Sequence, residues 1–84
     1  MDEARPKTPR DVIAEIVSRV LKPKGVSHIA VDDNLRDAGL SSLELVNVML
    51  AVEDAFDLTF PQEKLVPDNF RSIGAIEALV TAMI

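Results

Sequence analysis

Residues 41–56 are the most informative part of the chain and have the sequence SSLELVNVMLAVEDAF. On a helical wheel that advances by about 100° per residue, the apolar side chains of this segment fall into two separate groups. The first group covers an arc wide enough to face a protein core, and it consists of Leu45, Val48, Met49, Val52 and Phe56. The segment therefore predicts an amphipathic helix from about Ser42 to Phe56.

A second apolar group, Leu43, Val46 and Leu50, lies on another side of the same helix. A crowded bundle that buries the helix nearly all round would explain this group without any function. The charges argue against full burial, because residues 37–63 carry six acidic side chains and no Lys or Arg. Apolar spots surrounded by charge of one sign are typical of a docking surface. We therefore predict that this face of the helix binds a basic partner protein.

The first residues of this helix predict a capping arrangement. Ser41 and Glu44 form the S-x-x-E pattern of a capping box, in which each side chain bonds the backbone N–H of the other residue. If Ser41 is the cap, Ser42 is the first helical residue and its hydroxyl is not needed for capping. A phosphate ester on Ser42 would then lie at the positive end of the helix dipole. Serines at helix starts commonly do nothing but cap, so both interpretations stay open at this point.

Two further main helices are predicted near the ends of the chain. Thr8 and Pro9 are typical of a helix start, and apolar residues at helical spacing follow them. Ser72 is a suitable cap for a last helix that is apolar on one face.

The connections between these helices predict the remaining architecture. Residues 22–40 are longer than a usual helix–helix loop, and we interpret them as a crossover with one short turn around residues 33–37. Residues 62–65 predict another short helical turn. No segment alternates between apolar and polar residues for long enough to predict a strand. The predicted fold is an all-α bundle of three main helices and one or two short ones.

Length and composition limit the possible functions. The 84 residues suffice for one domain, which we place at residues 8–84 after a short flexible tail at residues 1–7. The net charge of −5 disfavours nucleic acid and anionic membranes as partners, and the absence of Cys excludes disulfides and thiolate metal sites. No apolar run is long enough to span a membrane, and the first ten residues contain no signal core. We expect a cytoplasmic monomer.

Catalytic and metal-binding interpretations fail on the residues available. Residues 39–43 begin like a G-x-S-x-G nucleophile motif but lack its final Gly. His28 is the only imidazole, and residues 32–36 break the calcium-loop pattern with a basic residue where an oxygen ligand is needed. The adjacent acids Glu53 and Asp54 diverge by about 100° on a helix and define no cleft. We predict that the chain is not an enzyme and holds no metal.

Four short segments together resemble the acyl carrier proteins. They are DAGLSSLELV at 37–46, VEDAFD at 52–57, the pair Phe60-Pro61, and FRSI at 70–73. The resemblance covers about residues 8–84 and implies a four-helix bundle with a long first loop and a short third helix. It also implies that Ser42 receives 4′-phosphopantetheine from a phosphopantetheinyl transferase, in a reaction that uses magnesium. The thiol of this arm would hold a cargo as a thioester, which suits a chain that has no Cys.

The resemblance also implies a partner-binding surface on the second main helix, transferred position by position. It comprises Leu43, Glu44, Val46, Asn47, Leu50, Glu53 and Asp54. Two positions differ from the family pattern: Ser41 stands where the family usually has Asp, and Asn47 replaces a commonly acidic residue. Ser caps a helix as well as Asp but brings no charge.

The Leu-Ser-Ser sequence and the segment 70–77 are most similar to small stand-alone carrier proteins that are charged with amino acids. In that group the loading ligase resembles the catalytic core of a class II aminoacyl-tRNA synthetase. We therefore expect a carrier that takes an amino acid from such a ligase to an acceptor enzyme. The alternatives are a fatty-acyl or polyketide acyl carrier protein, or an unmodified helical adaptor in which Ser42 is merely structural.

Overall fold

The structure, a computed structural model, describes residues 8–26 and 28–84 of the chain. Its α-helices are α1 (Pro9–Leu21), α2 (Leu35–Ala38), α3 (Ser42–Phe56) and α4 (Ile73–Met83). A 3₁₀ turn at Lys22–Lys24 follows α1, and two more, at Gln62–Lys64 and Pro67–Phe70, lie between α3 and α4. The described residues form no strand, so the predicted all-α, carrier-like bundle is confirmed. The tail expected at residues 1–7 lies outside the described residues.

Helix α1 begins where the sequence predicts. Thr8 Oγ1 accepts a hydrogen bond from the Asp11 backbone N–H at 3.2 Å, and Asp11 Oδ2 accepts one from the Thr8 N–H at 3.3 Å. The side chains at helical spacing along α1, which are Ile13, Ile16, Val17 and Leu21, are buried.

One hydrophobic core joins the three long helices. Helix α1 packs against both α3 and α4. Phe60 and Phe70, from the connection between α3 and α4, close the core with an edge-to-face ring contact at 5.4 Å between centroids. The core face predicted for α3 is confirmed, because Leu45, Val48 and Val52 are buried and Met49 and Phe56 are partly buried against them.

The long first connection is held against the start of α4. The Leu35 N–H donates to the Arg71 carbonyl at 2.8 Å, and the Gly74 N–H donates to the Val31 carbonyl at 3.0 Å. A Cβ at position 74 would lie 3.4 Å from that Val31 oxygen, which is an ordinary van der Waals contact. The predicted crossover is confirmed, and its short turn is α2, slightly later than expected.

Polar residues of this connection serve turns and caps. Asp33 Oδ2 accepts a hydrogen bond from the Ala30 N–H at 2.8 Å. Asn34 Oδ1 accepts one from the Asp37 N–H at 3.0 Å and so caps α2. Asp33 and Asn34, from the stretch that suggests a calcium loop in the sequence, thus bond nearby backbone N–H groups.

The second connection contains two 3₁₀ turns in place of one short α-helix. Val66 is extended, with φ −119° and ψ 149°, because the following Pro67 disfavours the helical conformation at that position. The Asn69 side-chain amide donates to the Lys64 carbonyl at 2.8 Å and links the two turns. None of the helices in the described part of the chain has the length and apolar character that a membrane span requires.

Candidate functional site at the start of helix α3

The capping box predicted for α3 is confirmed. Ser41 Oγ accepts a hydrogen bond from the Glu44 N–H at 3.1 Å, and Glu44 Oε1 accepts one from the Ser41 N–H at 2.9 Å. Ser41 has extended backbone angles and is the N-cap, so Ser42 is the first residue of the helix. The two neighbouring serines therefore have different roles, since only the Ser41 hydroxyl serves the cap.

The Ser42 hydroxyl is available for chemistry. The side chain is exposed and makes no hydrogen bond to any residue that the structure describes. As the first two helical residues, Ser42 and Leu43 have backbone N–H groups without a partner inside the helix. A negatively charged group bonded to Ser42 would lie beside these donors and at the positive end of the helix dipole.

Lys24 reaches this site from the 3₁₀ turn that follows α1. Its ammonium group lies 2.8 Å from Glu44 Oε1 and donates to the Gly39 carbonyl at 2.9 Å. The hydrogen bond from Lys24, followed by that from the Ser41 backbone, holds the pKa of Glu44 below its ordinary value. The sequence does not reveal the role of Lys24, because this residue lies twenty residues before Glu44 and no local pattern connects the two.

The outer face of α3 is exposed, so the interpretation that the bundle buries this helix all round is wrong. Leu43, Val46 and Leu50 are 71%, 44% and 58% exposed. Asn47 and Asp54 are exposed on the same helix. Among the described residues Asp54 has no ion pair and no side-chain hydrogen bond. We call Leu43, Val46 and Leu50 the apolar patch.

Two acidic residues predicted for partner binding have partners inside the protein. Glu44 pairs with Lys24, as described above. Glu53 is half-buried, and its Oε2 accepts a 2.7 Å hydrogen bond from the Phe60 N–H, which ties the end of α3 to the second connection. The exposed negative charge of α3 is therefore concentrated at its C-terminal end, at Asp54 and the C-cap residue Asp57.

A groove of about 160 Å³ runs beside Ser42, between α3, α2 and the second connection. It is mostly apolar, and Arg36 on α2 contributes a positive charge. Its lining residues are Arg36, Ser42, Leu45, Val46, Met49 and Pro67. In the described parts of the chain, no three His, Asp or Glu side chains come close enough together to hold a metal ion, and His28 is an exposed loop residue.

Comparisons with known proteins show the family to which the chain is similar. Residues 11–80 match the model of the phosphopantetheine attachment site family. The chain is similar to aminoacyl carrier protein 1 of Bradyrhizobium diazoefficiens, with 36% identity over 72 residues that cover 84% of this chain and 80% of that protein. It is also 47% identical over 58 residues to an aminoacyl carrier protein of Agrobacterium fabrum, covering 69% of this chain and 70% of the relative.

A solved structure has the same fold. It is a carrier protein bound to the Bradyrhizobium japonicum glycine:[carrier protein] ligase, together with an analogue of glycyl adenylate. The match has a TM-score of 0.77 and 32% identity, and it covers 88% of this chain and 96% of that one. Sequence pattern, fold and relatives converge, and the chain belongs to the phosphopantetheine attachment site family, among its aminoacyl carrier proteins.

Proposed function

We propose that residues 8–84 form a carrier domain in which Ser42 bears a 4′-phosphopantetheine arm that holds an amino acid. The observation that carries this proposal is the Ser42 hydroxyl, which is exposed and takes no part in the cap at the start of α3. The family itself implies a phosphopantetheine prosthetic group. As a carrier protein the chain is not a catalyst, so loading and unloading belong to partner enzymes.

The residues around Ser42 fit such a group. The backbone N–H groups of Ser42 and Leu43, which have no partner inside the helix, suit a phosphate. The Lys24 ammonium compensates the charge of Glu44, so the carboxylate closest in sequence to Ser42 repels an added phosphate less.

Attachment requires one displacement at phosphorus, which a phosphopantetheinyl transferase with magnesium catalyses. Ser42 Oγ bonds to the phosphorus that carries the pantetheine of coenzyme A, and the bond from that phosphorus to 3′,5′-adenosine diphosphate breaks. The serine proton passes to a base of the transferase. The attached group supplies a thiol at its far end, where an acyl cargo is held as a thioester.

The outer face of α3 provides the docking surface for these enzymes. The apolar patch begins directly beside Ser42 and extends for two helical turns to Leu50. Asp54 adds an exposed charge that suits a basic group on the partner. Asn47, Glu44 and Glu53 border this surface, although the two glutamates also bond within the protein.

An amino acid is the proposed cargo, with a stand-alone amino acid:carrier protein ligase as the loading enzyme. Two observations support it. The relatives include aminoacyl carrier proteins and a carrier bound to a glycine ligase. The groove beside Ser42, at about 160 Å³, is smaller than the roughly 300–1,000 Å³ of pockets that enclose large ligands, and so it offers little room for a long fatty-acyl chain.

The attachment is tested by intact-protein mass spectrometry after incubation with coenzyme A, magnesium and a phosphopantetheinyl transferase. The wild type and Ser41→Asp, which keeps the cap, should gain one phosphopantetheine, whereas Ser42→Ala should gain none. Equal gains in the wild type and Ser42→Ala would contradict the assignment of the site. No gain in the wild type would favour the unmodified adaptor.

The cargo is tested on the modified protein with ATP and a glycine:[carrier protein] ligase, in parallel with a fatty-acyl ligase. We expect the mass of an amino acid to be added by the first enzyme and no efficient loading by the second. Preferential loading with fatty acid would contradict the aminoacyl cargo while leaving the attachment at Ser42 intact.

A further inference from the structure

Arg36 is a cation of the functional site to which the proposed function gives no specific partner. It lies on α2, is exposed, and lines the groove of which Ser42 is also a wall. Lys24 is paired with Glu44 and Arg10 with Glu77 at 2.9 Å, and the described basic residues other than Arg36 do not line this groove. In the described part of the chain Arg36 has neither an ion pair nor a hydrogen bond from its side chain.

The acidic residues nearest in sequence do not account for Arg36. Asp33 and Asp37 line a separate depression together with Asn34. Glu44, the acid at the start of α3, is bonded to Lys24 and to the Ser41 N–H. The groove side of α2 therefore presents a positive charge that no described carboxylate neutralises.

The groove combines a cationic side chain with an apolar wall, as suits a phosphate that continues into a partly apolar chain. Arg36 and Ser42 are its polar members, whereas Leu45, Val46 and Met49 supply the apolar wall of α3. A guanidinium matches the oxygen atoms of a phosphate with two parallel N–H donors. The covalent anchor Ser42 fixes where such a phosphate would be.

We propose that Arg36 is the counter-ion of the phosphodiester on Ser42 and thereby directs the first part of the pantetheine arm along the groove. This inference rests on the proposed attachment at Ser42. Arg36 is a positioning residue in this account: it reduces the number of directions open to the arm and leaves the thiol end to the partner enzymes.

The test compares the unmodified and modified forms of the ¹⁵N- and methyl-labelled protein by NMR, with intact mass verifying the modification of each sample. The variants are Arg36→Gln, Arg36→Lys and the control Arg19→Gln, which removes an exposed arginine on α1 that pairs with Glu15 at 3.3 Å. The signal of the Arg36 side-chain Nε–H is assigned by its loss in Arg36→Gln.

On modification of the wild type, the Arg36 Nε–H signal should shift, and its exchange with water should slow by roughly twofold to fivefold, as suits an exposed ion pair. The methyl signals of Val46 and Met49 should shift as well. These methyl shifts should shrink in Arg36→Gln, persist in Arg19→Gln and be intermediate in Arg36→Lys, which keeps the charge but loses the two-donor geometry. Added salt should reduce the effect.

An unchanged Arg36 signal in a sample whose mass shows the arm would overturn this inference alone. Methyl shifts that persist in Arg36→Gln, combined with weaker binding to the ligase, would assign Arg36 to the docking surface and equally overturn it. A wild-type chain that gains no mass would overturn both this inference and the proposed function, so the two failures are distinguishable.

Discussion

At the scale of single residues, two neighbouring serines at the start of α3 have different roles. Ser41 is the cap and bonds the Glu44 N–H, whereas Ser42 stands one position later and keeps its hydroxyl exposed. Lys24 completes the arrangement by bonding Glu44 and the Gly39 carbonyl. The two hydrogen bonds of the capping box and the two contacts of Lys24 thus fix the geometry from which Ser42 projects.

The ion pair of Glu44 predicts a pH dependence of stability. Bonds from Lys24 and the Ser41 backbone lower the pKa of Glu44 in the folded state below its ordinary value of 4.5. Glu44 therefore contributes stability above pH 4.5, and this contribution is lost as the pH falls through the folded-state pKa. In thermal unfolding followed by circular dichroism, the Tm advantage of the wild type over Glu44→Gln should be full near about pH 6 and decline below about pH 4.5.

The control for this experiment is Asp54→Asn, which replaces an exposed carboxylate that has no partner among the described residues. Its Tm difference from the wild type should stay small across the same range. A Tm advantage over Glu44→Gln that does not change with pH would contradict the assigned role of Glu44.

The sequence allows the capping box and the position of Ser42 to be predicted, because both depend on residues within four positions of each other. The ion pair with Lys24 could not be predicted in this way, since it depends on how α1 packs beside the start of α3. The bond from the Phe60 N–H to Glu53 also depends on tertiary structure, namely on the path of the second connection.

At the scale of one element, α3 has two faces with different surroundings. Its inner face is buried in the core, and its outer face carries the apolar patch. Adjacent residues point about 100° apart, and so Glu53 and Asp54 have different surroundings although both are acidic. Glu53 bonds the second connection, whereas Asp54 is exposed.

Alanine substitutions of these two residues should therefore separate stability from docking. Glu53→Ala leaves the Phe60 N–H without its acceptor and should reduce the free energy of unfolding by about 1–3 kcal/mol. Asp54→Ala should leave stability unchanged and slow association with a basic loading enzyme, mainly at low salt. Denaturant titration measures the first effect and surface plasmon resonance the second. Equal stability losses in both variants would contradict this division of roles.

The apolar patch predicts a second contrast along the same helix. Leu50→Ala removes an exposed apolar side chain and should weaken ligase binding by roughly fivefold to tenfold with little change in Tm. The matched substitution Leu45→Ala removes a buried leucine and should cost about 2–5 kcal/mol of stability. Ligase binding that is unaffected by Leu50→Ala would show that the patch is not the docking surface.

Connections were less predictable than helices. The periodicity of α3 and the caps of α1 and α4 lie in contiguous residues, and these helices start where the sequence predicts. The second connection contains Pro67, which interrupts a continuous helix and leaves two 3₁₀ turns. Their packing depends on Phe60 and Phe70 meeting in the core, and a local pattern does not contain that information.

At the scale of the whole molecule, one core supports both the start of α3 and the outer face that we propose as the docking surface. Helix α1 packs on α3 and α4, and the first connection bonds the start of α4 through the Leu35–Arg71 and Gly74–Val31 backbone contacts. These bonds connect α2, which carries Arg36, to the same framework that holds α3. The groove beside Ser42 thus depends on the integrity of the complete bundle.

Shortening a side chain of the core should consequently destabilise the entire molecule. Phe70 is fully buried and contacts Phe60, so Phe70→Ala should cost about 3–5 kcal/mol. That cost is a large part of the roughly 5–15 kcal/mol that stabilises a typical domain. Urea unfolding followed by circular dichroism should show a single transition at a much lower midpoint. A separate early transition that removes only part of the helical signal would contradict a single cooperative core.

We propose that Ser42 is the anchor of the arm in the living cell. The most direct measurement is the intact mass of the protein isolated from its own cells under conditions that preserve thioesters, followed by fragmentation to locate the added group. We predict a phosphopantetheine on Ser42, with an amino acid on part of the population. A protein that is unmodified in every preparation, or that carries the group on Ser41, would contradict the claim.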